Sequence, residues 1–120
     1  MTDPTGKNPL IDYEQLEPFI DIGLDEFRGI FHDVIEETPA RLQEIAKSLA
    51  ADDFPAAKRT SHTLRGMLSN FGCKQLCAKL FALEHGEPTT PAQAPAKMQE
   101  LHTLWTLSLG AILEWEKSVS

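Results

Sequence analysis

The chain has 120 residues, a formal net charge of −7, 42% hydrophobic residues and 24% charged residues. These values are typical of a single soluble globular domain with one modest core. The acidic balance disfavours nucleic acid as the main partner, because a phosphate backbone is bound by basic surfaces.

The sequence shows no signal for insertion into a membrane or for export. No run of about 18 apolar residues occurs, and the first residues, Met1–Pro4, lack the basic and apolar regions of a signal peptide. We therefore expect a cytoplasmic protein that does not associate with membranes. Met1 and the polar stretch after it favour a free-standing chain over a piece of a larger protein.

Residues 1–10 contain prolines and a glycine among polar residues, which predicts a flexible N-terminal arm. A single helical domain is expected to span residues 11–118. Its first element is a short helix within residues 11–22, and Pro18 limits its extent. The apolar residues on one side of this helix are Leu16, Phe19 and Ile20.

A long amphipathic helix follows over residues 24–49, where apolar residues recur at intervals of three and four. Acidic residues near its start and Lys47 near its end suit the helix dipole. Pro39 interrupts the pattern, but the apolar stripe keeps its phase beyond it, so we predict one kinked helix. The stripe comprises Leu24, Phe27, Ile30, Phe31, Val34, Ile35, Leu42, Ile45, Ala46 and Leu49.

The next helix carries capping signals at both ends. Asp53 is a candidate N-cap, and Pro55 is tolerated in the first turn. Gly72 supplies a left-handed position that stops the helix. Its apolar stripe, counted at about 100° per residue, consists of Ala57, Ser61, Leu64, Leu68 and Phe71.

His62 lies on the opposite face of this helix, about 160° from Leu64. The residues that lie near it are Lys58, Arg59, Gly66 and Ser69, with Arg65 somewhat further round. A glycine inside a helix costs about 1 kcal/mol relative to alanine, so Gly66 requires a reason. We expect that a partner must come close to His62. The flanking cations suit a small phosphoryl group and are too few for a nucleic-acid duplex.

A fourth segment, residues 73–84, predicts a helix whose inward positions are Cys73, Leu76, Cys77, Leu80 and Leu83. The two cysteines, with Cβ atoms about 5–6 Å apart on one helix, are too far apart for a disulfide. No zinc set is complete, so buried apolar roles are predicted. Glu84 lies about 40° from Leu80. It either pairs with a partner near the core or bends out to water.

Residues 86–96 contain Pro88, Pro91 and Pro95 and predict a long non-helical connection. A final amphipathic helix follows. Its apolar face consists of Met98, Leu101, Leu104, Trp105, Ser108, Ala111, Ile112 and Trp115. The whole pattern predicts an all-α fold, an antiparallel four-helix bundle with a short extra N-terminal helix.

A family resemblance rests on the central helix and the one after it. The chain contains His62-Thr63-Leu64-Arg65-Gly66, then Asn70-Phe71-Gly72, then Leu76, Cys77, Leu80, Leu83 and Glu84. This sequence resembles the histidine-containing phosphotransfer (HPt) domain family, whose pattern is H-x-L-[KR]-G, a second glycine, and a leucine-rich helix that often closes with Leu-Glu. The resemblance covers about residues 10–86.

The resemblance implies that His62 is the phosphoacceptor in a multistep two-component phosphorelay. It would take a phosphoryl group from a receiver-domain aspartate and pass it to another receiver. The implied partners are response-regulator receiver domains and a hybrid sensor histidine kinase. We expect a monomeric phosphoryl carrier, not an enzyme, with no ATP-binding kinase domain and no bound cofactor or metal of its own. The receiver would bring Mg²⁺.

The residues expected to support the chemistry of His62 are inferred on different grounds. Imidazole suits this chemistry because a large fraction of histidine is uncharged near neutral pH, with one nitrogen free to attack. In relatives of the chemotaxis-kinase type, a Glu matching Glu84 accepts a hydrogen bond from the other ring nitrogen, and other members carry Gln. The cations expected to offset charge on the phosphoryl oxygens are Lys58, Arg59 and Arg65. Arg65 occupies the family's Lys/Arg position, whereas Lys58 and Arg59 are placed there by helix geometry alone.

The chain departs from the family where small residues commonly follow the motif glycine, because it has Met67 and Leu68 there. Both are predicted to face or border the core, but Met67 would alter the groove that a receiver enters. An alternative function is a non-catalytic adaptor that binds a receiver or kinase domain without phosphotransfer. A carboxylate metal bundle is disfavoured, because Glu-x-x-His spacing is missing. The remaining histidines, expected to be structural or surface residues, are His32, His85 and His102.

Overall fold

The computed structural model describes residues 8–120, which contain helices and no strand. A 3-10 turn at Tyr13–Gln15 precedes five α-helices. The α-helices are α1 (Pro18–Ile22), α2 (Leu24–Ala50), α3 (Phe54–Ser69), α4 (Lys74–His85) and α5 (Ala94–Val119). The predicted all-α class is confirmed. None of the helices in this part of the chain combines the length and the hydropathy needed to cross a bilayer.

The four long helices pack in a closed ring. Helix α2 lies against α3 and α5, and α4 also lies against α3 and α5. Their apolar stripes meet in one core, and at one end Phe19, Phe27, Phe31, Phe71 and Trp115 form an aromatic cluster with ring centroids 5.1–6.0 Å apart. The helical bundle is thus present, and the antiparallel order of its helices stays a prediction.

Helix α2 is continuous through Pro39, as the phase of its stripe predicts. Pro39 is exposed, so its ring projects into solvent and does not disturb the core. The stripe prediction is wrong for Ile30, which is exposed. Ile30 lies about 60° round the helix from Phe27, on the flank of the face that α3 and α5 cover.

The N-terminal segment differs from the single short helix expected over residues 11–22. Asp12 caps the 3-10 turn, and a separate helix starts at Pro18, where a missing N–H group costs nothing. Leu16 is fully buried, but Ile20 is exposed, contrary to its predicted inward position. Most of the predicted flexible arm, residues 1–7, lies outside the described residues, and Leu10 is buried in the core.

The turn between α3 and α4 is held by the N-terminal segment. Gly72 has φ +72°, which confirms the predicted left-handed position, and the Asp12 N–H donates to the Gly72 carbonyl over 2.7 Å. At the other end of α3, the Asp53 carboxylate accepts from the Ala56 N–H, which confirms the predicted N-cap. These two ends set the length of the helix that carries His62.

The connection before α5 is shorter than predicted. Helix α5 begins at Ala94, inside the segment of residues 86–96 that was expected to be irregular throughout. Pro95 lies in its first turn, where no backbone N–H donor is needed. The expectation that prolines exclude helix throughout residues 86–96 is therefore wrong at Pro95, because the first turn of a helix tolerates a proline that the helix interior would exclude.

Replacing Gly72 by alanine should destabilise the fold by about 1–3 kcal/mol, the cost of a strained left-handed residue. An added Cβ would also collide with the Asp12 carbonyl oxygen. Urea unfolding measures the change. Gly29→Ala is the matched control, because a Cβ there meets nothing within 4 Å, and we expect it to stabilise α2 by up to about 1 kcal/mol. Equal midpoints for the two variants would contradict this account of the turn.

Candidate functional site

His62 projects from the outer face of α3, and its side chain is 67% exposed. Ser61 and Leu64, its neighbours on the same helix, are fully buried. The helix therefore holds the imidazole in solvent while the opposite face is anchored in the core. This placement confirms the helical face that the apolar stripe predicts.

Glu84, in the last turn of α4, brings a carboxylate to this histidine. Its side chain is only 12% exposed. Glu84 Oε1 lies 2.8 Å from His62 Nδ1, and Oε2 lies 3.0 Å from Arg65 Nη2. Of the two positions that the sequence left open for Glu84, the structure selects the paired one. The burial is tolerated because both oxygens have donors.

The Glu84 contact determines which nitrogen of the imidazole carries the proton. A carboxylate oxygen at 2.8 Å accepts a hydrogen bond, so Nδ1 must be the protonated nitrogen. Arg65 Nη2 also lies 3.2 Å from Nδ1, but a protonated Nδ1 has no lone pair to accept from it. In the neutral ring, Nε2 then carries the free lone pair.

The charge on Glu84 is stabilised by the same neighbours. Desolvation by burial raises the pKa of Glu84, but hydrogen bonds from Arg65 and His62 outweigh it and hold the pKa below its ordinary value. The carboxylate therefore stays ionised throughout the pH range in which histidines titrate. It is a permanent acceptor for the Nδ1 proton.

Arg65 reaches Glu84 across the ring of Phe81. The guanidinium carbon lies 5.1 Å from the centroid of that ring, a cation–π contact. The ring centroids of His85 and Phe81 are 4.2 Å apart, and His85 Nε2 lies 3.6 Å from Glu84 Oε2. The sequence predicts only a structural or surface role for His85 and does not single out Phe81. Their spacing of one helical turn, next to Glu84, is the signal that could have found them.

An open groove of about 600 Å³ runs beside His62. Lys58 and Arg59, which the sequence placed near His62, both line it. Lys58 Nζ lies 5.7 Å from the Phe54 ring centroid. The groove is also lined by residues for which the sequence predicted no such role, Phe54, Pro55 and Thr63. Its wall is therefore apolar at one end and cationic next to the imidazole.

Gly66 leaves a bare patch of backbone one turn beyond His62. A Cβ added there would meet no atom of the described residues within 4 Å, so packing against this part of the chain does not require a glycine. Ser69, in contrast, is not brought to the groove. Its hydroxyl donates to the Gly66 carbonyl over 3.0 Å, and it lies with Cys73 and Cys77 at another depression.

Both cysteines are unpaired, as predicted. Burial raises the pKa of Cys73 to about 12 and that of Cys77 to about 11, so both thiols are protonated near neutral pH. Met67 borders the core and Leu68 is fully buried, as the helical count predicts. Among residues 8–120, no group of three or more His, Cys, Asp or Glu side chains is arranged to hold a metal ion.

A comparison with models of protein families matches the chain to a known family. Residues 29–115, well over half of the chain, match the family model described as the Hpt domain. The matched segment contains His62, Arg65, Gly66 and Glu84. No curated protein and no solved structure matches the chain significantly.

The pKa of Glu84 offers a direct test of the site geometry. The pKa of Glu84 is lowered in the folded state. The stability that its contacts contribute is therefore fully present above the ordinary glutamate pKa and is lost as the pH falls through the lowered pKa. We expect Arg65→Met to raise the pKa, since the strongest lowering contact is lost. NMR titration of the Glu84 carboxyl carbon measures it. The control is Arg41→Met, which removes an exposed pair with Glu44. A Glu84 midpoint that Arg65→Met leaves unchanged would refute the geometry.

Proposed function

Because the chain belongs to the Hpt domain family, whose members carry phosphoryl groups on histidine in two-component signalling, we propose that it is the histidine phosphotransfer protein of a multistep phosphorelay. In this proposal His62 accepts a phosphoryl group from a receiver-domain aspartate and passes it to the aspartate of a second receiver. The chain is a carrier whose chemistry is completed by its partners.

The observation that supports this role most directly is the 2.8 Å contact between His62 Nδ1 and Glu84. It leaves Nε2 as the unprotonated nitrogen on a ring that is 67% exposed. The Nε2 lone pair attacks phosphorus, the bond from phosphorus to the aspartyl oxygen breaks, and the aspartate leaves as a carboxylate. The ring becomes positively charged as the N–P bond forms, and the Glu84 carboxylate stabilises that charge.

The cations around His62 have two different tasks in this proposal. Phosphoryl transfer passes through a loose transition state, in which catalysis is mainly positioning and charge neutralisation. Lys58 and Arg59 line the groove and offset charge on the phosphoryl oxygens. Arg65 is engaged by Glu84 at 3.0 Å, so it acts mainly by holding that carboxylate in place.

The proposed partners are response-regulator receiver domains and a hybrid sensor histidine kinase. The receiver contributes the acceptor aspartate and Mg²⁺. The cationic groove suits such a partner, because a receiver site with a carboxylate and a phosphoryl group is anionic. We expect the chain to act as a monomer in the cytoplasm, with the Gly66 patch as the surface on which a receiver loop lies.

The first test is phosphotransfer from a phosphorylated receiver of the same cell, with Mg²⁺ present, to the native chain and to His62→Gln. We expect a label on the native chain that is labile to acid, stable to alkali and absent from the variant. Gln cannot attack phosphorus but retains a polar side chain, and His62 is exposed, so the variant should fold normally. Circular dichroism checks that it does.

The opposite outcome is equally defined. If no receiver of that cell labels the native chain while one binds it stably, phosphotransfer is rejected and the chain is an adaptor. If His62→Gln takes up label as fast as the native chain, His62 is not the phosphoacceptor and the proposed assignment is rejected.

Gly66→Ala separates the effect of this glycine on the stability of the fold from its effect on transfer from the partner. We expect the variant to be more stable by about 1 kcal/mol, because alanine favours the helix and a Cβ there meets nothing within 4 Å. Transfer from the receiver should fall about 10- to 100-fold, since small misplacements of the reacting atoms are costly. Urea unfolding and single-turnover transfer measure the two effects.

Gly29→Ala is the matched control, because Gly29 is equally open but lies on α2, not on the helix that carries His62. It should raise stability without changing the transfer rate. A Gly66→Ala chain that transfers at the native rate would show that no partner lies against this patch.

A further inference from the structure

Phe81 is a large apolar side chain that α4 leaves 48% exposed. It lies on the outer surface of the bundle, so burial in the core does not explain its presence. Two groups of the site lie against its ring. The guanidinium carbon of Arg65 is 5.1 Å from the ring centroid, and the centroid of the His85 imidazole is 4.2 Å from it. Both of these groups also approach Glu84 Oε2.

Arg65 depends on this ring for its orientation. Its side chain is long and carries considerable rotamer entropy. Nη2 donates to Glu84, but the Nε atom is buried and has no hydrogen-bond partner among residues 8–120. The guanidinium is thus held by Glu84 through one nitrogen and by the aromatic face of Phe81. Loss of that face leaves a single hydrogen bond to define where the group lies.

We propose that Phe81 is a positioning residue for phosphoryl chemistry at His62, acting through Arg65 and Glu84. The ring holds the guanidinium against Glu84 Oε2. The carboxylate is then oriented with Oε1 towards His62 Nδ1, which keeps the proton on Nδ1 and the lone pair on Nε2. The proposal rests on the proposed function, since it assigns Phe81 a part in the same site.

An exposed phenylalanine is also a common contact in protein interfaces, so the test must separate positioning from docking. The first measurement therefore uses no partner. Ring ¹⁵N shifts of His62 report the fraction of Nδ1-protonated tautomer, and the Glu84 carboxyl shift reports its pKa. In Phe81→Leu we expect the Nδ1-protonated fraction to fall and the Glu84 pKa to rise. Phe81→Tyr keeps the aromatic face and should match the native chain.

The second measurement uses phosphoramidate, a small phosphoryl donor. His62 Nε2 attacks phosphorus, the P–N bond of the donor breaks, and its amine, already protonated, leaves as ammonia. We expect Phe81→Leu to be labelled about two- to fivefold more slowly, the factor that an exposed cation–π contact corresponds to. Phe81→Tyr should be labelled at the native rate.

Leu107→Ala is the control for trimming an exposed apolar side chain, because Leu107 is similarly exposed but lies on α5. It should leave both measurements unchanged. Unchanged His62 and Glu84 signals in Phe81→Leu, with a loss of transfer only from a receiver, would overturn the proposal and make Phe81 a docking contact. Failure of the native chain to accept label from phosphoramidate and from every receiver would reject the proposed function. In that case, the tautomer measurement would still decide whether Phe81 positions the imidazole of His62.

Discussion

The site depends on one carboxylate that two helices share. Glu84 projects from α4 into a position where only 12% of its side chain meets solvent, and a charge there is stable only if donors surround it. His62 and Arg65, both on α3, supply those donors at 2.8 and 3.0 Å. The same bonds fix the proton on Nδ1 of the imidazole. The burial of Glu84 on α4 thus determines which nitrogen of the His62 ring on α3 keeps a free lone pair.

Burial explains the residues of the core but not those on the surface around His62. Inside the bundle, residues such as Phe27 and Leu64 are placed by burial. Around His62, Gly66 lacks a side chain although a Cβ would fit, and Phe81 is apolar although half exposed. Each of these choices runs against local helix preference or hydrophobicity. Such conflicts concentrate at sites that serve chemistry or a partner.

Much of the architecture was predictable because helices repeat with a known period. The stripe in α3 placed His62 in solvent, and capping rules located Asp53 and Gly72 at its ends. The failures have local causes. Pro18 starts a new helix where one continuous helix was expected, and Pro95 lies within the first turn of α5. The sequence located Pro55 at a helix start because Asp53 caps that helix. No side chain among the described residues caps the helices that begin at Pro18 and Ala94, so no local signal marks Pro18 and Pro95 as residues of a first turn.

The sequence by itself determined the helical class, the exposed histidine, the left-handed glycine and the family resemblance, because each depends on residues close together along the chain. It did not determine whether Glu84 pairs or bends into water. It also did not show that Arg65 and His85 approach the same carboxylate oxygen. Only the packing of α4 against α3 decided these points. A helical count gives the direction of a side chain about its own axis, whereas a hydrogen bond depends on the distance between two helices, which no local pattern contains.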